Sequence, residues 1–234
     1  MEQRIMPVGE NYSIRPLSEP LESVSDRWRD LVRHLPAGVN LLAVSKGHSA
    51  DSIRTLVDLG QRDFGESRLQ EALPKLEALA DQRRLLRWHF VGGLQANKVR
   101  GVVKHFEVIH SVDSKALAER ISRIAGEENR CPRIFLQVKL RQDPSKGGMT
   151  LEQIRELWPL LHGLPNLSVI GLMTMAPLGS SKEQCLEVFR DCRALADELS
   201  LPDCSMGMSG DWREAVSAGG TWLRLGSSIF GDKS

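Results

Sequence analysis

This sequence is poor in the features that mark disulfide, metal or membrane chemistry. Its four cysteines, Cys131, Cys185, Cys192 and Cys204, form no C-x-x-C pair and no metal-ligand spacing, so the pattern argues against a zinc site, and a reducing cytosol is the simplest setting. The six histidines are scattered, none in H-x-x-x-H. His89 and His110 fall inside strand-like runs, where a hydrogen-bonded structural histidine is the expectation. No apolar run approaches the roughly 20 residues that cross a bilayer. The first twenty residues carry Pro7, Pro16 and Pro20 with Glu2, Glu10 and Glu19, and so lack the continuous apolar core of a signal peptide. Charge of one sign is lacking too: 31 Lys and Arg stand against 30 Asp and Glu, leaving no overall field to draw the chain onto nucleic acid or an anionic membrane. Local basic clusters, at Arg83, Arg84 and Arg87 and between Arg130 and Lys146, are interrupted by apolar and acidic residues and read as solvated faces. Neither the G-x-G-x-x-G nor the G-x-x-x-x-G-K-[ST] phosphate fingerprint follows the first strand.

What is present is one long alternation. With 41% hydrophobic residues in 234 and no linker-like stretch, residues 17–234 are expected to form one domain behind a loose tail at 1–16. Leu21, Val24, Trp28, Leu31, Val32 and Leu35 have helical spacing, stopped at Pro36-Ala37-Gly38. Strand-like runs then occur at 41–45, 63–64, 88–91, 108–112, 134–138, 167–173, 204–208 and 221–225. Helical patterns separate them, beginning after Ser49 as an N-cap and continuing at 69–79, 98–106, 115–124, 151–161, 182–199 and 211–218. Eight strands alternating with helices in a chain near 250 residues predict a single (β/α)8 TIM barrel, with the N-terminal helix covering the part of the barrel that the last strand leaves bare.

Lys46 closes the apolar run Leu41-Leu42-Ala43-Val44-Ser45, which puts it at the mouth of that barrel. A strand-end amine among carbon can lose its proton and attack an aldehyde. The loops after strands 7 and 8, where such barrels commonly hold a phosphate, read Ser205-Met206-Gly207-Met208-Ser209-Gly210 and Gly226-Ser227-Ser228. Together these point to an aldehyde that carries a phosphate, with pyridoxal 5′-phosphate (PLP) the obvious candidate. Arg224 adds a donor-only partner for a pyridine nitrogen, which would leave the cofactor a poor electron sink. On the residues alone, Lys46 also reads as an exposed strand-end lysine and Arg224 as a surface salt-bridge residue.

The ordered segments Ala43-Val44-Ser45-Lys46, Phe64-Gly65-Glu66 with Gln70-Glu71, Trp88-His89-Phe90-Val91-Gly92, Leu94-Gln95-Ala96-Asn97-Lys98, Ile109-His110-Ser111-Val112-Asp113, Gly171-Leu172-Met173, Ser205-Met206-Gly207-Met208-Ser209 and Arg224 to Gly231 strongly resemble the YggS/PROSC family of pyridoxal phosphate homeostasis proteins. The resemblance runs from about residue 40 to the C-terminus. It implies a barrel of the alanine-racemase N-terminal type with PLP as a reversible internal aldimine on Lys46. It also implies a phosphate held by Ser205, Ser209, Gly226 and Ser227, a pyridine nitrogen facing Arg224, and a second lysine, Lys146, near the mouth. The implied role is PLP homeostasis, and thereby amino-acid and keto-acid balance, without catalysis. PLP-requiring apo-enzymes or a regulatory protein are the partner classes, and a monomer is expected because no apolar stripe or heptad demands a dimer. Ser67, Gly93, Gly47-His48 and Lys139 depart from the family pattern.

The alternative is a PLP-dependent amino-acid racemase. Two bases flanking the substrate carbon are needed there, and the only tyrosine, Tyr12, lies in the expected tail, with no C-terminal β-domain to bring another; His48 or His89 would have to serve. A Schiff-base aldolase acting on a sugar phosphate would use the same lysine and phosphate loops but leaves Arg224 unexplained.

Overall fold

A computed structural model describes residues 23–143 and 146–231. The expected tail at 1–16, and the first residues of the expected N-terminal helix, lie outside this range. The chain runs α1 (Val24–His34), β1 (Asn40–Val44), α2 (Ala50–Asp58), β2 (Asp63–Glu66), α3 (Leu69–Ala78), β3 (Arg87–Phe90), α4 (Val99–His105), β4 (Val108–Val112), α5 (Lys115–Glu127), β5 (Arg133–Gln137), α6 (Leu151–His162), β6 (Ser168–Met173), α7 (Lys182–Glu198), β7 (Asp203–Ser205), α8 (Trp212–Ser217), β8 (Trp222–Leu225) and α9 (Ser227–Phe230). The eight strands close in sequence order into one parallel barrel, β8 pairing back onto β1.

Strand alternation sorts the side chains into two cores. Leu42, Val44, Val108, Phe135, Met173 and Trp222 fill the barrel interior. Their neighbours Leu41, Ala43, Phe64, Trp88, Ile109, Ile134, Leu172 and Leu223 face outward into the larger core beneath the helices. Both faces are therefore buried, which is why β1 and β5 read as near-continuous apolar runs rather than as alternating strands.

The caps fall where short polar side chains allow them. Ser49 Oγ accepts from Ser52 N at 3.3 Å to start α2, and Thr150 and Ser181 begin α6 and α7 with reciprocal capping boxes to Gln153 and Gln184. As expected, α1 covers the seam left by the short end of the chain. Arg27 Nε donates to Ile229 O in α9 at 2.8 Å, and Trp28 Nε1 to Gln61 Oε1 at 2.9 Å. The seventh strand is shorter than its pattern. It stops at Ser205, because Gly207 adopts φ 87° and turns the chain toward α8.

Candidate functional site

The C-terminal ends of the strands carry a cavity of about 480 Å³. Lys46 from the β1–α2 turn, Arg224 from β8, Ser209 and Gly210 after β7, and Gly226 and Ser227 at the start of α9 all line it. Its remaining walls include Val44, Val91, Met175 and Met208. Five of the six residues expected to hold a cofactor thus converge on one space. Register explains the depth order: Arg224 pairs with Leu42, one strand across from and several residues below Lys46. Ser209 Oγ accepts from Ser228 N at 3.1 Å, tying the loop after β7 to the start of α9.

Lys46 is exposed at the rim, so the carbon surroundings expected of it are confined to the side formed by Val44 and the neighbouring walls. Arg224 is 7% exposed, so it is a buried residue rather than the surface one its sequence also allowed. Its Nη1 donates to Ser205 O at 2.6 Å and Ser205 Oγ at 2.9 Å, and its Nη2 to Thr174 O at 3.0 Å. Burial lowers its pKa to about 10, so it is still a cation at neutral pH.

Ser205 departs from its expected role. It is fully buried and is not among the cavity-lining residues. It belongs instead to a polar chain that runs through the barrel interior. His110 Nδ1 lies 2.7 Å from Ser205 Oγ, His110 Nε2 lies 2.9 Å from His89 Nδ1, and His89 Nε2 lies 2.9 Å from Asp63 Oδ1. Arg87 closes the far end with Nε and Nη2 each 2.7 Å from the Asp63 carboxylate.

The two charged ends set the direction of every proton. Arg224 can only donate, so Ser205 accepts from it and gives its own hydroxyl proton to His110. His110 then donates from Nε2 to His89, and His89 from Nε2 to Asp63. Both histidines are neutral, since desolvation lowers the pKa of each. At Asp63 burial pushes upward, but the bonds from His89 and Arg87 outweigh it and hold the carboxyl below its ordinary value. The Ser205 proton is committed to His110, and the hydroxyls that line the cavity are those of Ser209 and Ser227.

His48, which the sequence marked only as a departure and a stand-in base, lines the cavity and stacks on Phe230 with ring centroids 4.5 Å apart. Lys146 lines a neighbouring cavity of about 450 Å³ with Lys182, Asp211 and Glu214. The two cavities share Met208 and Gly210. Lys146 Nζ donates to Ala176 O and lies 3.6 Å from Asp143 Oδ2.

Relatives put these features in a family. The alanine racemase N-terminal domain family matches residues 20–234. The chain is 45% identical over 212 residues to the pyridoxal phosphate homeostasis protein of Synechocystis sp., covering 88% of this chain and 97% of that one. The chain belongs to the YggS/PROSC family of pyridoxal phosphate homeostasis proteins. The Escherichia coli K12 family member is 34% identical over 202 residues, covering 84% of this chain and 86% of its own.

Among solved structures, PipY of Synechococcus elongatus PCC7942 with PLP bound matches with TM-score 0.85 and 45% identity, over 89% of this chain and 100% of that one. An alanine racemase from Clostridium difficile, 16% identical with TM-score 0.75 over 91% of this chain and 57% of its own, shares the fold. Of the positions that depart from the family pattern, Gly93 leaves open space, with nothing within 4 Å of where a Cβ would sit. The Ser67 main chain packs against Gly92, where an added Cβ would come within 2.1 Å of Ser67 O. Neither Ser67 nor Lys139 is among the residues lining the Lys46 cavity.

Proposed function

We propose that this protein binds PLP in the Lys46 cavity and serves PLP homeostasis as a carrier rather than as an enzyme. The observation that carries the reading is the convergence of an amine, a buried guanidinium and two hydroxyl- and glycine-rich loops on one space with apolar walls. The residues fit the group. A flat ring suits walls built from Val44, Val91, Met175 and Met208, and a phosphate suits Ser209, Ser227 and the main chain around Gly226, where a Cβ would come within 3.3 Å of Val44 O.

When bound, PLP supplies an aldehyde that condenses reversibly with amines. Lys46 is the amine placed to meet it. Lys46 would hold the group through its Nζ, which must first give up its ammonium proton to act as a nucleophile. Arg224, fixed by its bonds to Ser205 and Thr174, accepts no proton and would leave a ring nitrogen placed against it unprotonated, weakening the electron withdrawal that racemisation requires. The exposed rim at Lys46 and Met208 leaves the cavity open to water and to acceptor amines, as a deliverable cofactor needs. PLP-requiring apo-enzymes are the proposed recipients, and the four free thiols suit a cytosolic setting.

The test compares PLP binding by wild type and Lys46→Ala, alongside turnover of amino acids by the loaded wild type. The proposal expects reversible, Lys46-dependent binding with no turnover above free PLP. Multiple turnovers of racemisation or transamination above free PLP would replace the carrier reading with that of a racemase or related PLP enzyme, and absence of binding would remove both.

A further inference from the structure

Lys46 stands on a turn, and its side chain is exposed. What is fixed is the chain on either side. Ser45 N donates to Gly65 O at 2.9 Å, and Ser45 Oγ donates to Glu66 Oε1 at 2.7 Å. Ser45 O accepts from Lys75 Nζ at 2.9 Å, while Gly47 N donates to Glu71 Oε1. The two residues flanking Lys46 are therefore both held by side chains from β2 and α3.

Those side chains form a unit. Lys75 Nζ directs its three protons to Ser45 O, to Glu66 Oε1 at 2.7 Å and to Glu71 Oε1 at 3.2 Å. Glu66 is fully buried with Oε2 unpartnered. Burial raises the Glu66 carboxyl above its ordinary value against the bonds from Lys75 and Ser45. Buried ion clusters add little net stability, and hydrophobic replacements of similar shape are often as stable. Holding the Lys46 turn accounts better for this cluster than stability does.

Resting on the PLP reading of the cavity, we infer that Lys75, with Glu66 and Glu71, positions the Lys46 turn for covalent capture of the aldehyde and takes no part in holding the phosphate. No member of the cluster lines the cavity, so capture and non-covalent binding separate cleanly. Pyridoxine 5′-phosphate, which has the ring and phosphate but an alcohol in place of the aldehyde, reads non-covalent binding alone. The rate at which PLP gives its covalent absorption band, followed by stopped flow, reads capture.

Lys75→Met is expected to bind pyridoxine 5′-phosphate within about threefold of wild type while capturing PLP about tenfold to a hundredfold more slowly, the usual cost of a misplaced reacting group. Glu71→Ala, at the more exposed end of the cluster, gives a second reading if Lys75→Met folds poorly. It should slow capture, whereas Glu71→Gln, whose amide oxygen still accepts from Gly47 N, should restore most of the rate. Capture at the wild-type rate in Lys75→Met or Glu71→Ala overturns the inference, as does equal loss of both probes. If wild type itself fails to capture PLP, the cofactor reading fails and the role of the cluster falls with it.

Discussion

At the scale of single residues, Lys46 and Arg224 line one cavity, the proposed function gives them different work there, and their substitutions should separate it. Lys46→Ala is expected to abolish covalent attachment of PLP while leaving measurable phosphate-dependent affinity, checked by absorption and by titration with pyridoxine 5′-phosphate. Arg224→Glu replaces a donor with a group that favours a protonated ring nitrogen, and the bound cofactor's spectrum should shift; an unchanged spectrum and affinity would show that Arg224 does not meet the ring. That both positions reach one cavity was legible in the sequence because Lys46 follows β1 and Arg224 lies one residue before the end of β8, and strand ends in such a barrel converge. Ser205 was not. Its partner His110 lies 95 positions away, and only the closed barrel shows that the two face each other across the interior. Glu66 and Lys75 were hidden for a similar reason, since a period of two says that Glu66 points out of the barrel but not that α3 will bring an ammonium over it.

At the scale of elements, the order and nearly all of the spans followed from the alternation of apolar periods, because each helix must cover two strands. The ends were less legible. The run 204–208 reads as strand, yet the backbone turns at Gly207, where φ is 87° and a Cβ would come within 2.6 Å of Ala215 Cβ and 3.1 Å of Trp212 Cα. Gly207→Ala should therefore cost about 1–3 kcal/mol by denaturant unfolding and weaken phosphate binding, because the same turn delivers Ser209 to the cavity. The short α9 was missed altogether. Its four residues fall below the length at which periodicity is visible, and it forms because Gly226 O accepts from both Ile229 N and Phe230 N at 2.9 Å.

At the scale of the whole molecule, the buried chain from Arg224 to Arg87 ties one end of the barrel to the other and gives the fold a defined response to acid. Burial lowers the pKa of His89 and His110, so as pH falls below the ordinary 6.5 the unfolded chain takes up protons that the folded chain refuses. Stability must then fall on acidification through that range, by roughly 1 kcal/mol per pH unit for each histidine. Asp63, held low by His89 and Arg87, extends the loss below the ordinary carboxylate range. Glu66, whose carboxyl is raised, works in the opposite sense, its contribution being lost as pH rises above 4.5. Urea unfolding between pH 7 and 5 should show the histidine slope, and His110→Gln should reduce it by about half; an unaltered slope would mean that the pair is not the source. The exposed large apolar side chains among the described residues, Val32, Leu73, Leu85, Leu160, Leu178 and Met208, sit on separate elements and loops, so sedimentation should report a monomer.

Whether Lys46 anchors PLP at the mouth of this barrel decides the proposed function. The most direct measurement is the visible spectrum of the PLP-loaded protein before and after borohydride, followed by peptide mass mapping. The expected result is a yellow band that reduction abolishes, with the added mass of the reduced cofactor on Lys46. A protein that forms no such band with added PLP, or that carries the mass on another lysine, would contradict it.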